Sequence, residues 1–204
     1  IRTTTILPGL KEKYKGCNID WVTKKESLEI LKGNKLINKI FLIENINNGI
    51  KNYRYDLIIN LDDDNEACKL ASEIDYKHII GDYLDNGKKV YTKNSSLWFD
   101  MGLISKFGKK KADELKAKNK KTYQEIMYGI LDLDYKKQEP ILKLSSSELE
   151  FGKKFAEKNS TKNNDLVIGI NTGAGGRWQD KKLSVEETAE LIGKIKNEIP
   201  NSKL

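Results

Sequence analysis

Histidine and cysteine are nearly absent from this 204-residue sequence. The one histidine, His78, excludes any two-histidine metal motif and most zinc sites. Two cysteines, Cys17 and Cys68, cannot make a disulfide scaffold and read as buried thiols in a reducing cytoplasm. No apolar run approaches the roughly 18 residues that a membrane-spanning helix needs. The opening Ile1-Arg2-Thr3-Thr4-Thr5 does not read as a signal peptide. Internal repeats and low-complexity tracts are missing too. Neither the Walker A spacing nor GxGxxG occurs.

What the chain has is charge. Lys and Arg number 37 against 30 acids, a net charge of +7 and a pI near 9.1. Hydrophobic residues are 38% and charged residues 33%. That is polar for a globular protein, yet the apolar residues cluster in short runs, which excludes wholesale disorder. The length fits one large domain, or one domain with part of another. Lysines alternate with acids over most of the chain. A local excess runs from Lys109-Lys110-Lys111 through Lys116, Lys118, Lys120 and Lys121. It reads either as a solvated helix face or as a patch for an anionic partner, such as a phosphorylated glycolipid or a membrane surface. Aromatic residues do not interleave it as in a single-strand binder, so no nucleic-acid partner is expected.

Periodicity and capping signals give an order of elements. Thr3 to Thr5 cap an opening helix whose face is Ile6, Leu7, Leu10 and Tyr14, and Gly16 ends it. Residues 18–22, 39–43 and 57–61 read as strands. Thr23 and Glu26 have capping-box spacing before a helix at 27–32. Residues 65–74 read as a helix, 77–81 and 88–92 as extended, and 97–105, 109–117 and 123–131 as helices. A connector follows at 135–144, with Pro140 inside it. Ser147 and Glu150 form a second capping box, with its helix running to about 159. After a polar linker, 166–170 reads as a buried strand, 171–182 as a Gly-rich loop, and Ser184-Val185-Glu186-Glu187 as a capping box opening a helix to about 199.

Strands alternating with helices imply an α/β fold with a parallel, Rossmann-like sheet. The expected domains are 1–160, incomplete at its start, and 165–204, the opening βα unit of a second Rossmann-like domain. A chain that opens on a helix and stops after one further βα unit is expected to be a fragment of a longer two-domain protein.

Two places carry candidate chemistry. The first is the loop Asn171-Thr172-Gly173-Ala174-Gly175-Gly176-Arg177-Trp178, between a buried strand and a capped helix. Its glycines let main-chain N–H groups turn toward an anion, and Thr172, Arg177, Lys181 and Lys182 add donors. The following helix adds its positive end. Trp178 reads as a cover over the loop. The plainer alternative is an ordinary βα loop. The second place is Asp62-Asp63-Asp64, beyond the carboxyl end of a strand, where ligands of open α/β sheets sit. The triplet either holds a divalent cation, as in a D-x-D sugar transferase, or caps the next helix. His78 reads as a surface or half-buried side chain, Cys68 as core, and Ser145-Ser146-Ser147 as a helix start.

The run Arg2-Thr3-Thr4-Thr5-Ile6-Leu7-Pro8-Gly9-Leu10-Lys11-Glu12-Lys13-Tyr14, followed by Gly16 to Thr23, resembles the start of the family 9 glycosyltransferases, the heptosyltransferase-like enzymes. So does Tyr55-Asp56-Leu57-Ile58-Ile59-Asn60-Leu61. The loop from Asn171 to Gly176 with Lys181-Lys182 resembles that family's donor-site opening, with Thr172 where proline is usual and Leu183-Ser184 in place of Trp-Pro. The resemblance implies a GT-B architecture, in which an N-terminal domain holds the acceptor and a C-terminal domain holds the nucleotide sugar.

Carried onto this chain, the resemblance implies transfer of a sugar from a nucleotide-diphosphate donor to a lipid-linked or surface glycan, with inversion, as in lipopolysaccharide biosynthesis. Donor phosphate would meet Thr172, Gly173, Ala174, Gly175, Gly176 and Lys181. Thr3, Thr4 and Asp62 would face the acceptor. The family's general base, an Asp in a Gly-Asp pair before the Arg-Thr-Thr stretch, would lie upstream of Ile1, so no catalytic residue is assigned and this chain alone is expected to be inactive. No metal or other cofactor is expected. A cytoplasmic location, with peripheral contact at the inner face of the membrane, follows from the same resemblance. The alternative is a non-catalytic α/β ligand-binding domain with the acidic triplet as a cation site.

Overall fold

The computed structural model describes residues 2–45, 49–173 and 182–204. They form two compact units, Ile1–Lys143 and Leu144–Leu204. The helix expected at 147–159 therefore lies with the second unit.

The first unit enters through a 3-10 turn, Arg2–Thr5, that runs into helix α1 (Ile6–Lys13). Ile6, Leu7 and Leu10 recur on one face and are buried. Thr5 takes the N-cap position without a side-chain cap. Its hydroxyl instead donates to the Gln138 carbonyl at 2.8 Å, while that of Thr4 accepts from Ile141 N at 2.7 Å. Both threonines are fully buried. The expected Thr cap is thus replaced by a clamp on the 135–144 connector, whose polar backbone needs partners there.

Strand β1 (Asp20–Thr23) pairs in parallel with β2 (Lys39–Leu42), from Asp20↔Lys39 to Thr23↔Leu42. Helix α2 (Leu28–Leu31) lies between them. The expected Thr23–Glu26 capping box does not form, because Thr23 completes β1 and Lys24 takes the N-cap position of the turn before α2. β3 (Arg54–Asn60) leads through α3 (Asn65–Glu73) to β4 (Asp75–Asp85), parallel to β3 from Arg54↔Asp75 to Asn60↔Gly81. β5 (Lys88–Tyr91) then returns antiparallel to β4. The parallel pairs expected of the α/β fold are there, with β5 added as an antiparallel edge. Asn86 and Gly87 both have positive φ, 49° and 77°, as a tight two-residue hairpin requires.

β2-β1 and β3-β4-β5 are separate sheets. The facing edges, β1 and β3, are joined by long side chains and not by a backbone ladder. Tyr55 donates to Asp20 at 2.9 Å near the strand starts, and Lys24 reaches Asp64 at 3.7 Å beyond their ends.

Helices cover both faces. After α4 (Ser96–Phe99) and α5 (Gly108–Lys118) comes α6 (Tyr123–Ile130). Only three residues of the expected 97–105 helix, Leu97 to Phe99, are helical. Ile6 and Leu10 of α1 pack with Ile126, Met127 and Tyr128 of α6 against Ile59 and Ile80 of the sheet. On the other side, Leu70 and Ile74 join Ile43, Ile50, Val22 and Ile58. Cys68 is buried as expected, whereas Cys17 is only half-buried and His78 is exposed.

The second unit holds α7 (Ser146–Lys158) and α8 (Val185–Glu198). α7 is capped by a Ser145–Glu148 box, two residues before the expected Ser147–Glu150 one. The Ser184–Glu187 box forms as expected. Residues 166–170 form only a bridge, Val167↔Lys203, and Leu166 and Val167 are exposed. A buried strand needs neighbours on its edges and cover on its faces, and the described residues of this unit supply a single bridge.

Candidate functional site

In the first unit a cleft of about 2250 Å³ opens beyond the carboxyl ends of β1 and β3 and extends between them. That is where an open α/β sheet offers its ligand crevice. Asp62, Asp63 and Asp64 line it, with Thr3 and Lys24.

The acidic triplet is tied into its own main chain. Asp62 N donates to Asn60 Oδ1 at 3.2 Å, Asp64 N to Asp62 Oδ1 at 3.1 Å, and Glu66 N to Asp64 Oδ1 at 2.9 Å. Asp64 is the N-cap of α3. The Glu66 amide, aided by Lys24, holds its carboxyl below the usual range. Lys89 Nζ bonds the Asp63 carbonyl. Of the two roles open to the triplet, these contacts support the helix cap. Among the described residues, no three His, Cys, Asp or Glu side chains are gathered as a metal site would gather them.

Behind the triplet lies a network absent from the sequence reading. Asp82, fully buried near the end of the β3–β4 ladder, accepts from Cys68 Sγ at 3.1 Å on Oδ2, while its Oδ1 has no partner. Asn60 Nδ2 donates to the Asp82 carbonyl at 2.8 Å. Burial raises the Asp82 carboxyl above its ordinary value. It also pushes the Cys68 thiol up to about 12, so the sulfur keeps its proton. One amide side chain, Asn60, thus links the buried acid to Asp62 at the cleft mouth.

A second missed group forms another wall. The Arg2 guanidinium lies 4.1 Å over the Tyr123 ring and 5.7 Å over Trp98, and those two rings meet edge to face at 5.2 Å. All three line the cleft. Thr3 joins them through a 3.1 Å hydrogen bond to the Tyr123 hydroxyl. Trp98 and Tyr123 lie in α4 and α6, with no local motif to pair them. Thr4, expected beside Thr3 on the acceptor side, does not reach the cleft. Its side chain turns into the core to hold Ile141, because neighbouring residues of a helical turn face different ways.

In the second unit, Thr172 and Gly173 are exposed, and Gly173 N donates to Asn171 Oδ1 at 3.0 Å. Ala174, Gly175, Gly176, Arg177, Trp178 and Lys181 lie outside the described residues. Ser184 accepts from Glu187 N at 3.0 Å, and Glu186 and Glu187 occupy the first turn of α8. The helix end that the sequence offers to an anion thus already carries two carboxylates, which offset part of its positive field.

The chain matches the crystal structure of a glycosyl transferase family 9 protein from Veillonella parvula DSM 2008, with a TM-score of 0.67 and 15% sequence identity. The match covers 95% of this chain and 56% of that one, so the chain spans little more than half the length of the structure it resembles. No protein-family model and no curated protein matches the sequence. The fold is therefore the α/β fold of a family 9 glycosyltransferase, as the motifs suggest.

Proposed function

We propose that this chain is the acceptor-binding region and the start of the donor-binding region of a glycosyltransferase. The observation that carries the reading is the fold likeness, which runs over nearly the whole chain. The domains of this reading are 1–160 for the acceptor and 165–204 for the donor. The cleft beyond β1 and β3 receives the acceptor hydroxyl, with Asp62 and Thr3 beside it and the Arg2–Trp98–Tyr123 group as a wall for a sugar face. In this reading an aspartate in a Gly-Asp pair upstream of Ile1 takes the acceptor's proton as the oxygen attacks the anomeric carbon, with inversion. The departing nucleotide diphosphate is stabilised by main-chain N–H groups at Gly173 to Gly176, the Thr172 hydroxyl and Lys181. Cytoplasmic action on a lipid-linked or surface glycan belongs to the same reading.

The test is Lys181→Ala in the full-length protein. A charged hydrogen bond to phosphate contributes roughly 1.5–3 kcal/mol, so donor affinity or turnover should fall about tenfold to a hundredfold. Unchanged kinetics would move the phosphate site elsewhere. No sugar transfer by the full-length protein with any nucleotide-sugar donor would end the enzyme reading.

A further inference from the structure

Within residues 106–121 eight lysines meet two acids, so six of the seven excess positive charges of the chain fall in sixteen residues. They occupy α5 and its flanks. Two of the lysines have carboxylate partners: Lys106 lies 3.9 Å from Asp100, and Lys111 3.0 Å from Glu114. The other six have none within ion-pair distance among the described residues.

Apolar side chains stand out beside this charge. Leu103 is 80% exposed and Phe107, the N-cap residue of α5, is 55% exposed. Lys106 Nζ lies 5.0 Å from the Phe107 ring centre. α5 is anchored to the body through Ala112 and the half-buried Leu115. Lys109 and Lys110 follow Phe107 within one turn and are exposed. A purely solvated helix face explains the lysines but not a bare leucine and phenylalanine among them. An anionic bilayer explains both, since it takes apolar tips below the headgroups and cations at their level.

We propose that the α4–α5 loop and the start of α5 dock on an anionic phospholipid surface. Phe107 and Leu103 enter the interface, while Lys106, Lys109 and Lys110 meet the headgroups. Leu103 and Lys116 also line the cleft. Docking would set the cleft mouth near the bilayer, where a lipid-linked acceptor would arrive. The proposal stands apart from the sugar-transfer reading, because binding to lipid is measured without donor or turnover.

The experiment is co-sedimentation of the chain with vesicles of phosphatidylcholine alone and of phosphatidylcholine mixed with phosphatidylglycerol. Binding should appear with the mixed vesicles and fade as salt rises. Each lysine near an anionic surface strengthens binding about fivefold, so Lys109→Ala with Lys110→Ala should weaken it roughly 25-fold. Phe107→Ser should weaken it about fivefold to tenfold, with unchanged circular dichroism because the ring is exposed. Equal binding to both vesicle types, or to neither, would overturn the proposal. So would full displacement by soluble glycerol phosphate, which would mark a small-anion site. A duplex DNA competitor that binds more tightly than the vesicles would show the lysines to be a nucleic-acid patch, and would overturn it too.

Discussion

Asp64 and Asp82 are both in or next to the β3–α3 turn, yet their surroundings drive them in opposite directions. Asp64 is stabilised as a carboxylate by the Glu66 amide and Lys24. Its contribution is present above the unfolded value, near pH 4, and is lost as pH falls through the lower folded value. Asp64→Ala should cost about 0.5–2 kcal/mol in urea unfolding at neutral pH, whereas Asp64→Asn, an equally good cap, should cost little. Asp82 has the reverse sign. Its carboxyl is raised by burial, so the fold favours the protonated form. That stabilisation is full below the unfolded value and is lost as pH rises through the folded one. Asp82→Asn should therefore flatten the decline in stability as pH rises above about 4, the ordinary carboxyl value, read as thermal midpoints over a pH series. An unchanged pH profile would show that Asp82 is not the group responsible.

At the scale of elements, what the sequence reveals follows the range of the interaction. The Ser184–Glu187 box and the Asp64 cap are signals contained in four residues, and both form. The hairpin also had a local signal in Asn86-Gly87, which was there to be read. The Thr4–Ile141 clamp joins positions 137 residues apart, and no local pattern announces it. The same is true of the Arg2–Trp98–Tyr123 wall and of Asp82, whose setting is made by strand pairing. Gly81 shows how tightly that pairing is set. It lies at φ +115°, and a Cβ there would come within 1.7 Å of the Asn60 carbonyl oxygen. Gly81→Ala should lower stability by about 3 kcal/mol or more, because a fixed backbone atom cannot move aside as a side chain would. The measurement is soluble yield together with the urea midpoint.

For the whole molecule, the α/β order was legible because strand and helix periods differ along the chain. The division between units was less so. Only the structure shows that α7 lies with the second unit, and that no residue of α7 or α8 is buried in it. The roles of the acidic triplet also meet at this scale. One oxygen each of Asp62 and Asp64 accepts from a main-chain amide, which supports a structural role for the triplet. Under the proposed function, sugar transfer by the full-length protein should survive excess EDTA, and recovery only on adding Mg²⁺ or Mn²⁺ would assign the triplet to metal.

The unjoined edges of β1 and β3 have a colloidal consequence. Each presents a line of main-chain donors and acceptors that finds no sheet neighbour on that side among the described residues. β3 is seven residues long, and its Leu57-Ile58-Ile59 is apolar. Such an edge is a template for any extended chain that reaches it, including another copy of the same strand. The high net charge keeps molecules apart at low ionic strength, so salt should act here as a trigger. As screening shortens the repulsion, light scattering should rise with concentration, and a lysine placed at Leu57, a half-buried residue of β3 that joins neither core cluster, should suppress that rise by guarding the edge.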